Sequence, residues 1–167
     1  NRRLANFPGR PPMVAFYSAL AGDGAAGDAQ PRLHLDAARI AAAAERAGVA
    51  PGGYWVFAPG AEYGPAKRWP AAHYASLARA LHEQDGLPVL LLGSAKEAGL
   101  CREIALQSGA ACEVLAGQMS LADSMALIAA ARGVVSNDSG LMHVAAGFGV
   151  PQVALFGSTS PEHTPPL

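Results

Sequence analysis

The chain has 167 residues, 51% of them apolar and only 15% charged, with a formal net charge of −1. That length and apolar content support one domain with a genuine core and exclude a globally disordered chain. Lys and Arg are scattered, which excludes a basic nucleic-acid surface, and no apolar run approaches the roughly 20 residues that span a bilayer.

Residues 1–31 read as a linker or the remnant of another domain. Pro8, Pro11 and Pro12 interrupt them, and only 13–21 carries a helical pattern. Asn1-Arg2-Arg3 is followed by no sustained apolar run, so no signal peptide is expected. Gly22-Asp23-Gly24-Ala25-Ala26-Gly27 spells GxGxxG. It follows no strand and opens no helix, so it reads as a loop rather than a dinucleotide site.

Residues 32–167 are regular. An Ala-rich helix is expected over 33–47, with Asp36 near its start and Gly48 at its end. Strands are expected over 54–58, 88–92, 113–115, 133–135 and 152–156. Helices are expected over 71–83, 95–107, 121–131 and 141–148. Short apolar strands alternating with helices predict an α/β fold, a doubly wound, Rossmann-like parallel sheet with helices on both faces. Cys101 and Cys112 fit no zinc spacing and read as reduced thiols, which suits a cytoplasmic protein.

Ligands of such sheets bind outside the carboxyl ends of the strands, and the unusual residues of this chain follow its strands. Ser136-Asn137-Asp138-Ser139-Gly140-Leu141-Met142-His143 joins a strand to a helix through small polar residues. Backbone N–H groups at a helix start make a seat for a phosphate. Asp138 fits a helix N-cap, and its carboxylate can also accept hydrogen bonds from sugar hydroxyls. Gly140 allows close approach of a phosphate to the backbone. Ser139 and His143 stand one helical turn apart, but no GxSxG elbow surrounds the serine. A base on the same helix is also poorly placed to activate it. His143 therefore reads as a packed helix residue or a ligand contact.

Lys67-Arg68-Trp69-Pro70 precedes the helix at 71–83, with Pro70 expected at its first position. A cation there opposes the macrodipole, which a bound anion would explain. Lys67 offers a point charge suited to a diphosphate; Arg68 either joins it or lies at the surface. Trp69 is expected to pack on the sheet. Glu97 fits either an exposed carboxylate of a first helical turn or a ribose diol contact. Met119 fits either the core or the face of a purine.

Four segments carry a resemblance to a known family. They are Pro59-Gly60-Ala61-Glu62-Tyr63-Gly64-Pro65-Ala66-Lys67-Arg68-Trp69-Pro70, Leu115-Ala116-Gly117-Gln118-Met119-Ser120-Leu121, the 136–146 turn and helix, and Ala154-Leu155-Phe156-Gly157-Ser158-Thr159-Ser160-Pro161. In order and content they resemble the ADP-heptose:lipopolysaccharide heptosyltransferases, glycosyltransferase family 9. The loop wording and the closing His163-Thr164-Pro165-Pro166-Leu167 are most similar to the type II branch. The resemblance covers 54–167.

It implies the C-terminal, nucleotide-sugar half of an inverting GT-B enzyme that moves L-glycero-D-manno-heptose from ADP-heptose to a heptose of the lipopolysaccharide inner core. Residues 1–31 would then end the N-terminal domain, and 32–167 would be a donor domain truncated at its C-terminus. The donor phosphates would meet Lys67 and the backbone of Ser139 and Gly140. Asp138 would lie by the heptose, Met119 by the adenine and Glu97 by the ribose, with His143 close to the donor. No cofactor or metal is implied. The acceptor and its catalytic base would belong to the N-terminal half, so this segment alone is expected to be inactive. The implied location is cytoplasmic and compatible with peripheral contact with the inner membrane. Two other functions fit the same residues, a GT-B enzyme with another nucleotide sugar and a non-catalytic nucleotide-sugar module.

Overall fold

The computed structural model describes residues 30–61, 65–162 and 164–166. The helical pattern at 13–21 and the GxGxxG run at 22–27 lie outside the described residues.

Five short strands, β1 (Trp55–Ala58), β2 (Val89–Leu91), β3 (Cys112–Val114), β4 (Gly133–Asn137) and β5 (Gln152–Leu155), pair in parallel in the order β3-β2-β1-β4-β5. Among the described residues five α-helices accompany them: α1 (Ala37–Arg46), α2 (Ala71–Asp85), α3 (Ala98–Ser108), α4 (Leu121–Ala129) and α5 (Gly140–Phe148). The expected doubly wound sheet is what the chain builds.

The strand period of two divides the core into two layers. Val56 pairs in register with Leu90 and Val134, and all three enter one layer with Ala43 of α1, Leu127 of α4 and Ala145 of α5. Phe57 pairs with Leu91 and Val135, and these enter the opposite layer with Tyr74 of α2 and Ile104 of α3. Apolar residues on both sides of every central strand require helices on both faces.

Several boundaries differ from expectation for identifiable reasons. Residues 33–36 are not helical: the Leu33 N–H donates to the Gly147 carbonyl at 2.8 Å, and α1 starts only after Asp36. Pro70 is the N-cap of α2 rather than its first helical residue, with an extended ψ of 142°. β4 runs two residues further than expected, because Ser136 and Asn137 continue pairing with β5. The helix expected over 95–107 begins as a 3-10 turn, Ala95–Glu97, before α3.

The strand order places β1 between β2 and β4. The chain winds outward from β1 to β2 and β3, then returns to β4 on its other side. That reversal opens a crevice between the loops after β1 and β4, the usual ligand position of an open α/β sheet.

Candidate functional site at the sheet switch point

The floor of the site is the carboxyl end of β4. Asn137 is fully buried there. Its Oδ1 accepts from the Trp69 N–H at 3.1 Å and the Tyr74 hydroxyl at 3.2 Å, and its Nδ2 donates to the Pro59 carbonyl at 2.6 Å. Burial, with a smaller contribution from Cys101, pushes the Tyr74 phenol up, so the hydroxyl keeps the proton it donates. One amide thus ties both ends of the loop after β1 to the end of β4. Trp69 packs with the sheet as expected, its ring edge-on to Tyr74 at 5.1 Å.

Lys67 ends a 3-10 turn, Pro65–Lys67, and its Nζ donates to Asp138 Oδ2 at 2.8 Å. The side chains are 19% and 9% exposed. This corrects one expectation: Asp138 does not cap α5; Ser139 holds the N-cap position, and Asp138 turns to Lys67 instead. Asp138 thereby supplies Lys67 with a counter-charge before α2. Partial burial pushes the Asp138 carboxyl up, but Lys67, the neighbouring Thr159 hydroxyl and His143 together hold it below the usual carboxylate range. Thr159 Oγ1 is shut from solvent and completes no hydrogen bond of regular geometry among the described residues.

Four helical starts among the described residues carry a serine; Ser108, before the 3-10 turn Gly109–Ala111, makes no side-chain cap, and the other three differ. Ser120 accepts from the Asp123 N–H and caps α4. Ser94 closes a capping box with Glu97, a reciprocal arrangement. Ser139, with φ −149° and ψ 171°, makes no side-chain cap on α5. The α5 start therefore keeps its amide dipoles directed outward, beside the Lys67–Asp138 pair.

A cleft of about 900 Å³ opens from this point across the sheet edge. Ser139 and Gly140 line it at one side, Glu97 and Met119 at the other, with Leu121 and Leu141 adding apolar wall. Its volume suits a nucleotide-sized ligand. Ser94 holds the half-buried Glu97 carboxylate, its N–H and its hydroxyl both donating to Oε2, at 2.7 and 2.9 Å. Met119 packs partly against the core and also lines the cleft. Arg68 is exposed, lines the cleft and donates to the Ala61 carbonyl at 3.3 Å. His143 lies one turn into α5 and is exposed; it reaches the site through its charge on Asp138.

The structure thus gathers Glu97, Met119, Ser139 and Gly140 around one cleft and pairs Lys67 with Asp138 at its margin. Asn137 was not foreseen as a site residue, although it stands inside the motif. Ser94 was also missed, although the Ser-x-x-Glu spacing of a capping box is visible in the sequence.

Comparison with known proteins agrees with this fold. The family model described as glycosyltransferase family 9 (heptosyltransferase) matches residues 2–167. Lipopolysaccharide heptosyltransferase 2 of Escherichia coli K12 is 52% identical over 115 residues, covering 66% of this chain and 33% of that protein. Lipooligosaccharide heptosyltransferase 2 of Haemophilus ducreyi is 51% identical over 117 residues, with the same two coverages. The structure of E. coli ADP-heptose lps heptosyltransferase II superposes with a TM-score of 0.82 at 42% identity, over 94% of this chain and 51% of that one. E. coli heptosyltransferase WaaC, solved with ADP, gives a TM-score of 0.60 at 32% identity over 67% of this chain and 34% of that one. The chain spans about a third of the length of the curated relatives it matches.

Proposed function

The chain belongs to glycosyltransferase family 9, the heptosyltransferases, and from that membership we propose that it is the donor-binding domain of an inverting enzyme. The donor is ADP-heptose, and the acceptor is a heptose of the lipopolysaccharide inner core. The observation that carries the reading is the meeting of three features at the switch point. These are the Lys67–Asp138 pair, the start of α5 without a side-chain cap and a cleft walled by Glu97 and Met119.

Each feature takes one part of the donor. The diphosphate sits against the Ser139 and Gly140 amides and draws the Lys67 ammonium toward it. Asp138, sharing Lys67 with the phosphates, accepts from hydroxyls of the heptose, with His143 close by. The ribose meets Glu97, whose Oε1 is not engaged by Ser94. The adenine lies on the apolar wall by Met119 and Leu121.

The acceptor hydroxyl attacks the anomeric carbon from the face opposite the diphosphate, and the anomeric carbon–oxygen bond to ADP breaks. Negative charge grows on the departing phosphate as that bond lengthens. Lys67, drawn to the bound diphosphate, and the α5 dipole face that oxygen, so they stabilise the transition state more than the bound donor. Their charge serves the leaving group, and the reading includes no metal. The group that takes the acceptor proton is assigned to the other half of the family architecture. The work is placed at the cytoplasmic face of the inner membrane, where a lipid-anchored acceptor is presented; no helix among the described residues is long and apolar enough to cross a membrane.

Nucleotide selectivity tests this reading. Thermal stabilisation by ADP, UDP and GDP at equal concentration reports their relative affinities. ADP is expected to give the largest shift. A larger shift with UDP contradicts the ADP-heptose donor.

A further inference from the structure

The loop after β5 follows the last described strand, and Gly157 is its second residue. A Cβ built there would stand 2.5 Å from the Ala66 carbonyl oxygen and 3.4 Å from the Lys67 Cα. The first distance is far inside van der Waals contact. The obstacle is backbone, so no side-chain rotation relieves it. Gly157 is not among the glycines with positive φ; the close approach, not conformational freedom, is what excludes a side chain.

Two residues later, Thr159 lies beside Asp138. Its hydroxyl is buried and contributes to holding that carboxyl in its charged form. One short loop therefore touches both members of the Lys67–Asp138 pair, Gly157 at the backbone of the first and Thr159 at the carboxylate of the second.

We propose that Gly157 is a positioning residue for Lys67: its missing side chain lets the loop after β5 press on the 3-10 turn and set how far the ammonium reaches toward the donor diphosphate. The inference rests on the reading that Lys67 binds that diphosphate. It adds that the reach of Lys67 is fixed from β5, on the far side of β4 from the strand that carries the lysine.

The test compares Gly157→Ala, Lys67→Ala and the double variant, measuring affinity for ADP and for adenosine by calorimetry on the full-length protein. The Gly157 φ is one that alanine adopts, and the position is exposed, so the variant is expected to fold, with the clash displacing the 3-10 turn and lowering Tm modestly. Gly157→Ala should weaken ADP about tenfold, in line with the cost of sub-ångström misplacement of a charged group. Adenosine affinity should stay constant, because its contacts come from the loops after β2 and β3. The double variant should bind ADP no more weakly than Lys67→Ala. An unchanged ADP affinity in Gly157→Ala overturns the proposal. So does equal weakening of adenosine, or a loss that adds to that of Lys67→Ala. If Lys67→Ala itself keeps the preference for ADP over adenosine, the diphosphate reading of Lys67 fails and the proposal falls with it. If Lys67→Ala loses the preference and Gly157→Ala keeps it, only the proposal falls.

Discussion

Replacing Lys67 by alanine in the complete enzyme is expected to lower turnover about 10²- to 10³-fold, the usual loss when one preorganised group is removed from a developing oxyanion. The loss should fall mainly on kcat. The diphosphate already carries charge in the ground state, but the bridging oxygen gains charge only as the bond to heptose breaks. An ammonium aimed at that oxygen acts most strongly at the transition state. The site is also shielded: Lys67 is 19% exposed and Asp138 9%. Its electrostatics are therefore stronger than those of a surface pair. Initial rates over a range of donor concentrations separate kcat from KM. Near-wild-type turnover in Lys67→Ala contradicts the assignment.

Asn137→Leu is expected to cost about 3–5 kcal/mol of stability. Leucine has a similar volume, so little of this comes from a cavity. The cost comes from three groups that lose their partner together, the buried Pro59 carbonyl and Tyr74 hydroxyl and the partly buried Trp69 N–H. Each unsatisfied group of this kind costs about 1–3 kcal/mol, and neighbours in one network do not add in full. For a chain of this size such a loss lowers Tm by roughly 10 °C or more. Urea titration and a thermal melt would both report it. A change below about 1 kcal/mol would mean that the loops after β1 and β4 are held together by something other than this amide. The same substitution loosens the loop that carries Lys67, so ADP binding should weaken in parallel with stability.

These two residues show what the sequence discloses and what it does not. Lys67 was legible because a cation just before a helix has no local justification, and a charge without one invites a ligand. Its actual partner was not legible, because Asp138 lies 71 positions away and reads locally as a good N-cap. Tertiary pairing displaced the cap by one residue, to Ser139. Asn137 was invisible for the same reason: its partners stand 63 to 78 positions upstream. The two-layer core was readable in advance, since Val56-Phe57, Leu90-Leu91 and Val134-Val135 each place one apolar side chain on either face. The start of α1 was not, because Leu33 prefers a contact with Gly147 of α5 to a helical turn of its own.

Glu97 illustrates a middle case. Its first-turn position was evident, and so was its fitness for a diol. That Ser94 takes only one of its two carboxylate oxygens is a fact of geometry. The arrangement lets a structural cap and a ligand contact coexist on one side chain, where the sequence offered an exposed first-turn carboxylate or a ribose contact.

The most direct measurement of donor binding at the switch point is an ADP titration followed by the backbone amide resonances of this domain. The Ser139 and Gly140 amides should show the largest saturable shifts, with those of Gly93 and Met119 moving in step, as one ligand spans the cleft from α5 to the loops after β2 and β3. Saturation by ADP with the Ser139 and Gly140 amides unmoved would contradict a diphosphate seated on the start of α5.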